Sequence, residues 1–200
     1  MAPLAQLVLA LSHLTLLPTT TTTTTTTIPF TDSPVAPTPA EHYERYVTFL
    51  AVGTRTYTCD PTKPSSAYGL AGWDYDLYDA ETDAERAFNL GKHGFLLHPN
   101  GGGGQSLFYT ANNTLTYWVG RGMMMVPDPV ATSPLDLALE QTLRTEASEP
   151  KAEAGKYDLG LAVYATRFGA VGGNLPSDTE CTGTRIVESE AYYSMFKQVR

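Results

Sequence analysis

The run Trp73-Asp-Tyr-Asp-Leu-Tyr78 alternates residue by residue. Trp73, Tyr75 and Leu77 share one face of an extended strand, and Asp74, Asp76 and Tyr78 take the other. Helical winding would mix the two sets, so this segment predicts a strand with one wet face. Tyr46 to Val52 is a continuous β-prone run ending at Gly53, which marks a bulge or bend. Thr54 to Cys59 alternates and stops at Asp60-Pro61. Asn89 to Leu97 is a further strand candidate, interrupted by Gly91 and Gly94. Leu107 to Thr110 and Leu115 to Val119 flank Ala111-Asn-Asn-Thr114, a hairpin turn. Tyr157 to Ala165 places Tyr157, Leu159, Leu161, Val163 and Ala165 on one apolar face. Short strands parted by Gly, Pro and Asn clusters predict a single antiparallel β-sandwich or barrel, with long loops and at most one or two short helices.

Two segments pull toward helix. Thr82 to Asn89 has room for two turns. Ser133-Pro134 offers an N-cap followed by proline at the first helical position, and Leu135, Ala138, Leu139 and Leu143 form a helical stripe. Leu135, Leu137 and Leu139 also alternate, so the pattern of that segment fits a strand as well.

The ends differ from the middle. Residues 1–17 carry an apolar run of signal-peptide length, too short to span a bilayer, with no Lys or Arg before Arg45 and no clear Ala-x-Ala cleavage site. Residues 18–40 hold nine consecutive threonines and then a Pro-rich stretch. Such a segment builds no packed core; it reads as an O-glycosylated stalk or a plain linker. The folded domain occupies 41–200. The expected location is extracellular or cell-surface.

Charge narrows the partners. With 13 basic against 21 acidic residues the net charge is −8, which argues against a nucleic-acid partner and a polybasic membrane contact. No apolar run reaches the ~20 residues of a membrane-spanning helix. Two cysteines are too few for a four-cysteine zinc site.

The order of motifs resembles a family. Gly53-Thr-Arg-Thr-Tyr-Thr-Cys59 looks like its opening Tyr-x-Cys strand, and Leu77-Tyr78-Asp79 like its Leu-Tyr-Asp. Gly91-Lys-His93 with Phe95-Leu96 looks like its Gly-x-His-x-Phe-Leu. Tyr164-Ala-Thr-Arg167, Gly172-Gly173, Pro176 and Cys181 follow in its order, and Tyr192, Tyr193 and Phe196 match its closing aromatic strand. The chain resembles an uncharacterised-domain family of secreted fungal and bacterial proteins whose members often bear the name malate dehydrogenase. Gly169 and Ala170 stand where that family has Asn-Thr, and the Trp before Leu135 is absent. The resemblance implies a mainly β domain, so Leu135 to Leu139 is read as a strand. It implies no established activity. Malate dehydrogenase chemistry needs a nucleotide site, and neither Gly101–Gly104 nor Gly169–Gly173 opens a helix. No cofactor is expected.

The candidate residues are few. Cys59 and Cys181, in an oxidising compartment, would close a loop of roughly 120 residues, worth ~4–5 kcal/mol; in a reducing one they would be two thiols. Asn112-Asn-Thr114 is a glycosylation sequon in a turn. His93 lies beside a glycine that admits close approach, and Asp79 is placed to orient its ring. His93 and His98 lack a third ligand, so no metal site is expected. Arg167, on the strand of Tyr164 and near Gly172-Gly173, would hold a carboxylate or sulfate, or pair with one of the chain's own acids. Met123-Met124-Met125 reads as core filler or linker. No nucleophile motif is present. The expected role is non-catalytic binding of an extracellular ligand, a cell-wall glycan or a small anion. The alternatives are an enzyme with a pocket around His93, Asp79 and Arg167, and a structural surface protein.

Overall fold

A computed structural model describes residues 42–62, 68–97, 104–111, 115–176 and 180–199. Residues 1–41, with the apolar run and the threonine stretch, and His98, Gly101–Gly103 and the Asn112 sequon lie outside the described residues. The chain is mainly β. Eight antiparallel strands run in sequence order and close on themselves as a barrel. They are β1 (Tyr43–Cys59), β2 (Tyr68–Asp79), β3 (Gly91–Leu97), β4 (Gly104–Thr110), β5 (Thr116–Val126), β6 (Leu139–Ala147), β7 (Ala162–Gly172) and β8 (Thr184–Gln198).

Each strand pairs with its chain neighbours, and β1 also pairs with β8 from Tyr43↔Gln198 to Thr58↔Thr184. The alternation read at Trp73–Tyr78 decides the inside. Tyr75 and Leu77 are buried in the core with Phe49, Ala51, Phe108, Trp118, Tyr193 and Met195. Gly53 is not a bulge: the β1–β2 register runs through it without a break. It is a close-approach site, because a Cβ there would lie 2.0 Å from the Asp74 carbonyl oxygen. The irregularities fall elsewhere, between Arg45 and Val47 and between Thr56 and Tyr57 on β1.

The segment between β6 and β7 caps one end of the barrel. Tyr157 to Ala165 is not one strand. Ala152–Tyr157 and Leu159–Leu161 form 3-10 turns, and β7 starts only at Ala162. Asp158 breaks the expected strand, its carboxylate accepting the amides of Gly160 and Lys151. Leu159, fully buried, sits inside the barrel end, and Trp118 donates its indole N–H to the Ala162 carbonyl at 3.2 Å.

Neither helix candidate forms. In Thr82–Asn89 the Asp83 carboxylate takes the amides of Ala87 and Phe88, with Arg86 at φ 58°, so side-chain bonds displace the helical ladder. At Ser133 the Asp136 carboxylate collects the amides of Thr132, Ser133 and Gly172. That turn reaches across to β7, and the strand begins at Leu139 rather than Leu135.

Cys59 at the end of β1 is disulfide-bonded to Cys181 ahead of β8. Tyr68 lies alongside; its hydroxyl bonds the Glu180 and Thr182 carbonyls and takes the Arg185 Nε–H. Together they fasten the other end of the β1–β2–β8 seam. The sequence separation of 122 residues makes the crosslink worth ~4–5 kcal/mol in the chain-entropy model. Replacing both cysteines with serine is expected to lower the unfolding free energy from urea titration by that amount, and reductant to bring the wild-type protein to the same reduced stability.

Candidate interior binding site

The uncapped end opens into a cavity of about 460 Å3. Its lining comes from all eight strands and from the turn before β6. Aromatic side chains dominate: Tyr57, Trp73, Tyr75, Phe95 and Tyr193, with the His93 ring among them. Gly104 leaves the space that the Phe95 ring fills; a Cβ there would lie inside that ring.

His93 sits deep on this wall. Its ring stacks on Phe108, centroids 3.9 Å apart, and parallel to Tyr75 at 5.5 Å. Nδ1 lies 3.2 Å from the Leu107 carbonyl, which only accepts, so Nδ1 carries the proton. Nε2 then accepts from the Tyr193 hydroxyl at 3.1 Å. The Trp73 indole N–H also approaches Nδ1, at 3.5 Å, a longer contact than that with the Leu107 carbonyl. Burial, reinforced by the positive charges of Arg167 and Arg55, pushes the His93 pKa down to about 3, against the one opposing bond to Leu107.

Arg167 is 8% exposed and lies beyond Tyr193. Its Nε and Nη2 donate to the Ala138 carbonyl at 3.1 and 2.9 Å, and Nη1 pairs with Glu140 at 2.9 Å. The Tyr193 hydroxyl takes a further Arg167 N–H. Burial holds the Tyr193 hydroxyl far above the ordinary tyrosine pKa, although Arg167 pulls it down. The chain Leu107–His93–Tyr193–Arg167–Glu140 is therefore a saturated polar wall, built from five strands.

Arg55 is different. It faces inward one alternation above Gly53, nearer the mouth, half-buried. Its guanidinium lies 5.7 Å from the Tyr57 ring centroid and 5.8 Å from that of Trp73. Among the described residues no carboxylate comes within ion-pair distance of it. Its charge and that of Arg167 both act on Tyr57, Tyr75 and His93. With Glu140 matched to Arg167, the lining carries one positive charge in excess.

Two sequence candidates stand apart. Asp79 ends β2, four residues beyond Tyr75 and so ~13 Å along the strand, at the capped end. It does not orient His93. It accepts from the Tyr157 hydroxyl at 2.6 Å, from the Glu81 and Thr82 amides, and pairs with Lys156. Burial alone would raise its pKa, but these partners outweigh burial and hold it at about 2. Tyr164 packs edge-on against Tyr43, centroids 5.0 Å apart, outside the lining. Met123, Met124 and Met125 are not core filler; they stand exposed on β5, and Met125 reaches the cavity mouth. Among the described residues no three His, Cys, Asp or Glu converge as metal ligands would.

No family model, no curated protein and no solved structure matches the chain. The site stands on its own geometry.

The buried His93 makes the fold acid-sensitive. The unfolded chain takes up a proton at this residue near pH 6.5, whereas the folded chain does so only near 3. Stability contributed by the neutral ring is complete above pH 6.5 and falls as pH drops through that window. The expected slope is about 1.4 kcal/mol per pH unit below 6.5. Urea unfolding between pH 7 and 5 measures it, and His93→Gln is expected to flatten it.

Proposed function

We propose that this protein binds a small organic anion inside its barrel, without transforming it. The observation that carries the reading is Arg55: a cation aimed into a cavity, held between aromatic faces, with no carboxylate partner among the described residues. A buried or half-buried cation without a counter-charge is costly unless a ligand supplies one. The cavity volume lies within the range of small-molecule sites. An eight-stranded barrel has an interior that holds side chains and at most one small ligand.

Three features favour binding over catalysis. His93, with its pKa near 3, is a poor base at neutral pH. Tyr193 is a poor acid for the opposite reason. Glu140 is committed to Arg167. A glycan platform has less support, because Trp73 and Trp118 point into the barrel rather than outward.

Export belongs to the same reading. It is supported by the apolar segment of residues 1–17, the Thr/Pro stretch and the Cys59–Cys181 disulfide. None of the helices among the described residues is long and apolar enough to cross a membrane.

A thermal-shift panel of organic carboxylates, sulfonates, neutral oligosaccharides and divalent metals tests this. A carboxylate at a hundred times its Kd is expected to raise the melting temperature by several degrees, as ~2.7 kcal/mol of linkage requires. Arg55→Met is expected to abolish the shift. Stabilisation by oligosaccharides alone would point to the glycan reading instead.

A further inference from the structure

The interior site, read as above, also constrains what anion it takes. We infer that the ligand is a flat aromatic monocarboxylate, its carboxylate on Arg55 and its ring against Trp73 and Phe95. This rests on the anion-binding reading and sharpens it.

The charge comes first. Arg167 already spends its guanidinium on Glu140, the Ala138 carbonyl and Tyr193. A second carboxylate drawn to it would meet Glu140 within the same pair, a like-charge contact. Among the described residues one cation of the lining has no carboxylate partner, so one anionic group is matched. A dianion would bring a charge with no partner.

The shape follows from the walls. Arg55 is held by the faces of Tyr57 and Trp73, which fixes the guanidinium before a ligand arrives. Its planar fork suits a carboxylate. Trp73 in turn packs edge-on against Phe95, centroids 4.6 Å apart. A carboxylate on Arg55 therefore carries its substituent onto a corner of two ring systems. Offset or edge contacts with such rings favour another aromatic ring over a flexible alkyl chain, by ~0.5–1.5 kcal/mol per pair. Leu70 and Met125, partly exposed at the mouth, extend the apolar surface outward.

Isothermal titration of the full-length chain against four probes decides it: cinnamate, hexanoate, terephthalate and cinnamamide. Cinnamate is expected to bind at least tenfold more tightly than each of the other three. Its binding should quench tryptophan fluorescence, since Trp73 lines the site and Trp118 is packed in the core. Arg55→Met should weaken cinnamate at least tenfold, and Arg55→Lys should lose less than Arg55→Met. Circular dichroism confirms that each variant is folded. Should Arg55→Met fail to fold, Trp73→Leu replaces it, with cinnamate selectivity over hexanoate expected to disappear. If hexanoate or terephthalate binds as tightly as cinnamate, the aromatic monocarboxylate is overturned while anion binding stands. If cinnamamide binds as tightly as cinnamate, or no carboxylate binds, both readings fail.

Discussion

β1 is paired along most of its length on both sides, with β2 on one edge and β8 on the other, and this closure decides which side chains share an interior. An open sheet would leave the residues on one face of β1 and β5 facing solvent or a second layer. Closed, the sheet brings Arg55 of β1 and Arg167 of β7 to one cavity although they are far apart in sequence. Closure also removes the unpaired sheet edges that invite association. The disulfide and the Tyr68 cluster sit on the seam where this closure is made, at the open end. The capped end is held by different means. There Asp79, Tyr157 and Lys156 tie β2 to the 3-10 segment, Leu159 is fully buried, and Trp118 bonds the Ala162 carbonyl.

The interior is polar at a depth where apolar residues would pack more cheaply. A buried guanidinium loses its hydration, and the loss is recovered only if every N–H finds a partner. Arg167 meets that demand with a carbonyl, a carboxylate and a phenol. His93 meets it by remaining neutral, with both ring nitrogens bonded. These groups explain one another, and none requires a ligand. Arg55 lies outside the network. Its aromatic neighbours contribute cation–π attraction but no counter-charge. The contrast between the two arginines, one saturated and one not, is what separates framework from binding group.

Much of the fold was legible in the residues. Strict alternation at Trp73–Leu77 marked the inward face, and turn-forming clusters separated the strands, so the barrel-or-sandwich class followed. The choice of barrel did not, because closure is a pairing between the first and last strands that no local pattern encodes. The misread segments share a cause. At Asp83, Asp136 and Asp158 a short carboxylate bonds nearby backbone amides and overrides the period of the surrounding apolar residues. In the site, His93 and Arg167 were legible, but Asp79, expected to orient the His93 ring, lies at the capped end of β2. Tyr193 was hidden because Tyr192-Tyr193 gives no clue to which ring turns inward. Arg55 left a signal that was there to be used. It shares the parity of Val47, Phe49 and Ala51, so a charged residue falls on the apolar face of β1.

The protein's overall charge and its cavity have opposite signs, and this bears on how a ligand would enter. At net −8 the surface repels an anion at long range. In salt at physiological strength that repulsion fades within about 8 Å. Inside the barrel, walls of low polarisability leave the field of Arg55 less screened than at the surface. Selection for charge therefore acts after entry rather than during approach. Such a site gains little from electrostatic steering and depends on the fit within. That is why the aromatic surfaces beside Arg55, rather than the charge alone, set what it retains.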